Sequence, residues 1–219
     1  MGAAEKHHQY QWKPSPFWYA VGRAFFGLLF HTLWPLTIRG GENIPRQGSA
    51  IIISNHRSMI DPFVVGYAAG RRVNFMAKEE LFRTPLVGWF IRKLGAFPVD
   101  RTRRDPASLR TALEVLKADQ LLGMFPEGTR STTGGMLDFR TGALRLASRT
   151  RSRIVPVAVI DTEHALPPKK FIRPARIAIH FGPAFEVAEL YENPKDPAVM
   201  ERAIETMRAQ IQALHDSID

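Results

Sequence analysis

Residues 49–54 read SAIIIS, a run of β-branched side chains without a charge, bounded by Gly48 and Asn55. Successive side chains of a strand point to opposite faces, so a strand this apolar must be covered from both sides. That requires a sheet with helices above and below it. The rest of the chain supplies the matching pattern. Further strands are predicted at 72–77 (RVNFMA), 96–99 (AFPV), 121–125 (LLGMF), 153–160 (RIVPVAVI) and 176–182 (RIAIHFG), with helical stretches at 59–70, 85–95 and 141–150. Asp105–Pro106 and Asp196–Pro197 each offer an N-cap residue followed by a first-position proline. Behind the first, Leu109, Ala112, Leu113 and Leu116 follow helical spacing. Behind the second, Met200, Ile204, Met207, Ile211, Leu214 and Ile218 form one stripe, read as core cover rather than a seam for a partner. Strands alternating with helices predict an α/β fold with a mostly parallel central sheet flanked by helices.

The composition is that of a globular chain, 45% hydrophobic and 23% charged, which excludes disorder or a simple coiled coil as a description of the whole. With no cysteine, thiol catalysis, thiolate metal sites and disulfides are excluded. The formal charge is +9, and it is uneven. Residues 71–104 hold nine basic and three acidic side chains, residues 139–185 nine and two, and residues 186–219 three and eight. Such a basic middle attracts anions: phosphorylated small molecules, anionic lipid or nucleic acid.

Residues 1–15 are polar and expected to be loose, the His7–His8 pair included. The segment after them is aromatic-rich and apolar, interrupted by Arg23, His31 and Pro35. A spanning helix would leave Arg23 in hydrocarbon at a cost of about 2.5–3.5 kcal/mol. Residues 16–36 are therefore predicted to form an amphipathic helical segment for membrane association. Phe17, Trp18, Tyr19, Phe25, Phe26, Phe30 and Trp34 would sit at headgroup depth, and residues 37–219 would form one α/β domain with a C-terminal helix. The competing reading is a helix packed on the protein's own core.

Two loops that follow strands are chemically loaded, and such loops are where α/β sheets build sites. NHRSMIDP, residues 55–62, follows SAIIIS. Residues five apart on a helix point about 140° away from each other, so His56 and Asp61 meet only across a turn. Either Asp61 is an N-cap before Pro62, or Ser58 is the N-cap with Asp61 three residues later. A carboxylate on one imidazole nitrogen fixes the tautomer and leaves the other nitrogen as a base. The plainer reading is a loop histidine beside a helix-capping aspartate. FPEGTRS, residues 125–131, follows LLGMF and runs on into TTGG. Its glycine turn can present N–H groups to an anion, and Arg130 adds a fork suited to phosphate. Glu127 could accept a proton from a substrate hydroxyl, hold Arg130, or be one half of a surface ion pair. Lys78, at a strand end, is a further candidate phosphate contact, and so is one of Arg101, Arg103 and Arg104, the others facing water or lipid. VPV, residues 155–157, can only shape a pocket wall. No GxSxG elbow, GxxxxGK loop or strand-borne GxGxxG is present, and Ser54 and Ser58 flank His56 without forming an evident nucleophile pair. The simplest chemistry left is deprotonation of a substrate hydroxyl that attacks an activated acyl group.

NHRSMIDP, GAFPVDR (residues 95–101), FPEGTRS and VPV, in this order over about a hundred residues, resemble the motifs of the glycerolipid acyltransferase family, which includes the lysophosphatidate acyltransferases. The resemblance implies His56 as general base with Asp61 as its partner, and Arg101, Glu127, Gly128, Thr129 and Arg130 as contacts to a glycerol-phosphate or lysophospholipid acceptor. It implies an acyl thioester, acyl-CoA or acyl-carrier protein, as co-substrate, with no cofactor, no metal and no nucleic acid partner. A peripheral location on an anionic membrane surface, at the cytoplasmic face, is the matching expectation.

Overall fold

The structure is a computed structural model that describes residues 12, 14–102, 105–131, 135–167 and 171–217. The expectations for residues 1–11, Arg103, Arg104, residues 132–134 and Ile218 lie outside the described residues. Seven strands form one sheet in the order β1-β7-β6-β2-β5-β3-β4. They are β1 (Leu36–Arg39), β2 (Ala50–Ser54), β3 (Val73–Lys78), β4 (Phe97–Val99), β5 (Leu121–Met124), β6 (Arg153–Ile160) and β7 (Ile177–Phe181). Every pairing is parallel except β6 with β7. This is the predicted mostly parallel α/β sheet.

β2 is central, and all five of its residues are buried. Its alternation sorts the core. Ile51 and Ile53 pack on one face with residues of α4 (Pro106–Lys117), α5 (Gly142–Thr150) and α8 (Pro197–Asp216). Ala50 and Ile52 pack on the other with Phe30 of α1 (Pro16–Thr32) and Val64 and Val65 of α2 (Asp61–Ala68). The remaining helices are α3 (Pro85–Lys93), α6 (Thr162–Ala165) and α7 (Ala188–Glu192).

Asp105 and Asp196 cap α4 and α8, each side chain accepting from two backbone N–H groups of the first turn. The α8 stripe is core cover, as its spacing predicts, with Met200, Met207 and Ile211 buried. The α4 stripe buries Ala112 and Leu116 as predicted, with Leu113 partly buried on the same core, but it departs at Leu109. The buried face is Ser108, Thr111, Ala112, Val115 and Leu116, and Leu109 is exposed, because Ser108 and Thr111 turn their hydroxyls back onto the helix carbonyls and pack as small side chains. β1 is an edge strand that the sequence does not announce.

The N-terminal segment divides between the two readings. Phe30 and Trp34 are core residues, Trp34 donating its Nε1–H to the Arg173 carbonyl, and Phe26 stacks on Phe63 of α2. Phe30 and Trp34 are thus withdrawn from the surface, and Phe26 is partly buried. Phe17, Val21, Phe25 and Leu28 instead form an exposed row along α1. Among the described residues no helix is long and apolar enough to cross a membrane.

Gly123 of β5 lies beneath Phe75, whose ring would stand 2.2 Å from a Cβ at that position. That close approach lets Phe75 lie against Phe125 at the end of β5. A methyl group there must displace the ring. Gly123→Ala is expected to cost about 1–3 kcal/mol and to lower Tm by about 2–10 °C, read by circular dichroism melts.

Candidate active site

The loop after β2 closes on one carboxylate oxygen. Asp61 Oδ2 lies 2.8 Å from His56 Nδ1 and accepts the backbone N–H groups of Arg57 at 2.7 Å and Ser58 at 2.8 Å. Asp61 is the first residue of α2, with Ile60 in the cap position, so neither predicted capping arrangement forms. The carboxylate turns back to satisfy its own loop. Asp61 is fully buried and His56 nearly so. A carboxylate only accepts, so the ring proton sits on Nδ1 and Nε2 is left with its lone pair.

The loop after β5 encloses the same histidine, because β5 pairs directly with β2. The Phe125 ring stacks on the imidazole with centroids 4.0 Å apart. Glu127 Oε1 accepts the His56 backbone N–H at 2.8 Å, and the Ser131 N–H donates to the His56 carbonyl at 2.8 Å. Glu127 Oε2 accepts the Leu137 N–H at 3.0 Å. Glu127 is buried, and that burial holds its carboxyl above the ordinary value, against the pull of these two donors. Its geometry is that of a brace between loops, each carboxylate oxygen accepting one backbone N–H.

His56 lines a cavity of about 480 Å³. Lys78, Arg101, Gly128, Thr129 and Arg130 line it too, so the imidazole and the predicted cations share one cleft. Thr129 and Arg130 are exposed. Lys78 ends β3 and pairs with Glu80 at 3.2 Å, both side chains about half exposed, a contact worth little. Arg101 Nη1 donates to the Gly128 carbonyl at 2.6 Å. Its pKa is lowered by burial and then by the nearby positive charge of Arg140. The rest of the cavity is an apolar arm between α1, α2 and α3, with Phe26, Phe63, Tyr67, Val87 and Ile91 in its walls. Gly66 of α2 also lines it, and a Cβ there would meet nothing within 4 Å.

One expectation changes, and the absence of a serine nucleophile pair does not. Val155, Pro156 and Val157 are buried in β6 beside β2, where the strand is covered on both faces, and do not line the cavity. Ser54 and Ser58 turn their hydroxyls to the carbonyls of Asn55 and Leu166, away from the imidazole. Asn55, the first residue of the NHRSMIDP motif, and Arg140, which lies in no motif, also shape the site. Asn55 exchanges two hydrogen bonds with the Val159 backbone, each 2.8 Å, and so pins the start of the His56 loop to β6. The Arg140 side chain lies against Gly128, where its Nε would be 2.8 Å from an added Cβ, so two guanidinium groups flank one glycine at φ +69°. Among the described residues no cluster of three or more His, Asp or Glu side chains could hold a metal.

Replacing Glu127 with glutamine sets an amide N–H₂ against one of two backbone donors. Glu127→Gln is expected to cost about 1–3 kcal/mol, measured by urea unfolding. A value within 0.3 kcal/mol of zero would show that the brace is dispensable.

A family model described as Acyltransferase matches residues 35–160. The chain is 27% identical over 191 residues to the 1-acyl-sn-glycerol-3-phosphate acyltransferase of Bacillus subtilis, covering 84% of this chain and 93% of that protein. It is 36% identical over 169 residues to the enzyme of that name from Saccharomyces cerevisiae, covering 75% and 54%. It is 30% identical over 200 residues to the one from Streptococcus pneumoniae, covering 88% and 71%. The crystal structure of the 1-acyl-sn-glycerophosphate acyltransferase PlsC from Thermotoga maritima superposes with a TM-score of 0.73 at 28% identity, covering 90% of this chain and 78% of that one. A sheet of this topology, a His–Asp pair at its centre and a family match over more than half of the sequence have one common explanation: the chain is a member of the glycerolipid acyltransferase family.

Proposed function

We propose that this protein transfers a fatty-acyl group from a thioester, acyl-CoA or acyl-carrier protein, to a hydroxyl of 1-acyl-glycerol-3-phosphate, giving phosphatidic acid in phospholipid biosynthesis. The observation that carries the reading is one cavity with three chemistries: an oriented imidazole, a cationic rim and an apolar arm. His56 Nε2 takes the proton of the acceptor hydroxyl as its oxygen attacks the thioester carbonyl. The tetrahedral intermediate then expels the thiolate, which recovers the proton from the imidazolium. Asp61 keeps the ring in the required tautomer and stabilises its positive charge during the step. General-base help of this kind supplies about 10²–10⁴ in rate. Arg101, Arg130 and Lys78 hold the acceptor phosphate, with Thr129 and the Gly128 backbone beside them. The apolar arm takes an acyl chain.

Both substrates and product carry acyl chains, so they are met at a lipid surface. The exposed row on α1 continues through the edge contact of Trp18 with Trp89, 4.8 Å between centroids, onto α3, where Leu86 is 77% exposed. This surface, on a chain of charge +9, suits peripheral attachment to the anionic cytoplasmic face of the membrane.

Mass spectrometry of products from purified protein, acyl-CoA and a panel of glycerol phosphate and lysophospholipid acceptors tests the reading. His56→Ala should lose at least about a hundredfold in turnover while keeping its circular dichroism spectrum; a folded variant with most of its activity would refute the mechanism. Arg130→Ala should raise the apparent KM for the phosphorylated acceptor by about tenfold and leave kcat nearly unchanged. An unaltered KM would remove Arg130 from the phosphate site.

A further inference from the structure

We infer that Arg57, between His56 and Ser58, is a positioning residue for the base, held from behind by α6 and by the end of α8. Both supports lie beyond the matched family region of residues 35–160, and the role given to His56 rests on the acyl-transfer reading.

Arg57 contributes its backbone N–H to Asp61 Oδ2, but its side chain does not line the cavity. Its Nη1 donates to Glu163 Oε1 at 2.6 Å, with the two side chains only 15% and 24% exposed. Its Nη2 lies 3.4 Å from His215 Nε2. A guanidinium only donates, so His215 offers its lone pair there. The ring proton is then on Nδ1, 3.5 Å from Asp216 Oδ1. The end of α8 is itself anchored. Ser217 meets His180 Nδ1 at 3.1 Å and accepts from Arg39 Nη1 at 3.4 Å, and Leu214 packs closely over Gly182. The guanidinium is thus tied to two fixed elements, and it fixes in turn the peptide whose N–H helps hold Asp61 against the imidazole.

Stability alone is a poor reason for this arrangement. Glu163 Oε2 is buried and has no hydrogen-bond partner among the described residues, a desolvation cost that one ion pair does not clearly offset. Holding the base loop in register is a reason that does fit. Small displacements of a catalytic group lower kcat by up to about a hundredfold without altering how substrates bind.

The test uses the full chain with Arg57→Ala, Glu163→Gln, Arg57→Lys, Arg57→Glu and the reversed pair Arg57→Glu/Glu163→Arg. Steady-state kinetics are run beside proton–nitrogen spectra of ¹⁵N-histidine-labelled protein, with the His56 signals assigned by their loss in His56→Ala. In Arg57→Ala and Glu163→Gln, kcat is expected to fall about tenfold or more with both KM values within about twofold. The His56 Nδ1 proton should broaden through faster exchange. Arg57→Lys, a point charge that can still reach Glu163, should recover part of the loss, and the reversed pair should outperform Arg57→Glu alone. Glu163→Gln conserves shape and carries the test if Arg57→Ala does not fold. An unchanged kcat, a loss confined to KM, or a His56 signal identical to wild type would overturn the inference. If the wild-type chain transferred no acyl group, the functional reading would fall, yet the spectra would still decide whether Arg57 holds the ring.

Discussion

A single carboxylate oxygen organises this protein's chemistry. Asp61 Oδ2 gathers the imidazole of His56 and two backbone N–H groups within 2.8 Å, in a place with no access to water. An ionised group buried so deeply is tolerated only when donors converge on it. Here all three come from the loop it stabilises and meet Oδ2, while Oδ1 is buried with no hydrogen-bond partner among the described residues. The chain between His56 and Asp61 is forced into one tight turn, and the imidazole is oriented by the same contacts that shape its backbone. The imidazole and its loop therefore form one rigid unit.

The sheet determines what that unit faces. β2 has β6 on one side and β5 on the other, and Ile53 lies opposite Met124 and Pro156. Loops leaving the carboxyl ends of β2 and β5 must meet, so segments seventy residues apart in sequence are fastened by Glu127 and Ser131 to the backbone of His56. The third neighbour, β6, contributes through Asn55 and Val159, from behind the cavity. Lys78 and Arg101 reach the cavity from the ends of β3 and β4, further along the same edge, and Arg130 from the loop after β5. Parallel connection is what brings all these ends to one side.

Much of this was legible in the sequence, and the reasons are physical. SAIIIS can only be a doubly covered strand, and Asp-Pro pairs start helices because proline lacks the N–H that a first turn leaves unpaired. The spacing of His56 and Asp61 excluded a helix between them and so implied the turn. What could not be read depends on geometry across the fold. Glu127 has the same chemical identity whether it meets a ligand or two backbone amides, and only the packing of the neighbouring loop decides. Leu109 obeys the helical period, yet the face that α4 buries was chosen by the small side chains of Ser108 and Thr111. Trp34 and Phe30 look interfacial in sequence because a helix that rests on a core and one that rests on lipid have the same composition. Arg140 and Glu163 have no local pattern at all.

Gly66 shows what an absent side chain can do. It lies inside α2, where glycine weakens a helix by about 0.5–1 kcal/mol relative to alanine, and neither a close neighbour nor an unusual backbone angle explains it. The space it leaves belongs to the cavity. The same short helix that begins by gripping the imidazole at Asp61 goes on, less than two turns later, to leave a vacancy at Gly66. Hence the reach of the chamber and the aim of its imidazole are machined from one short helix.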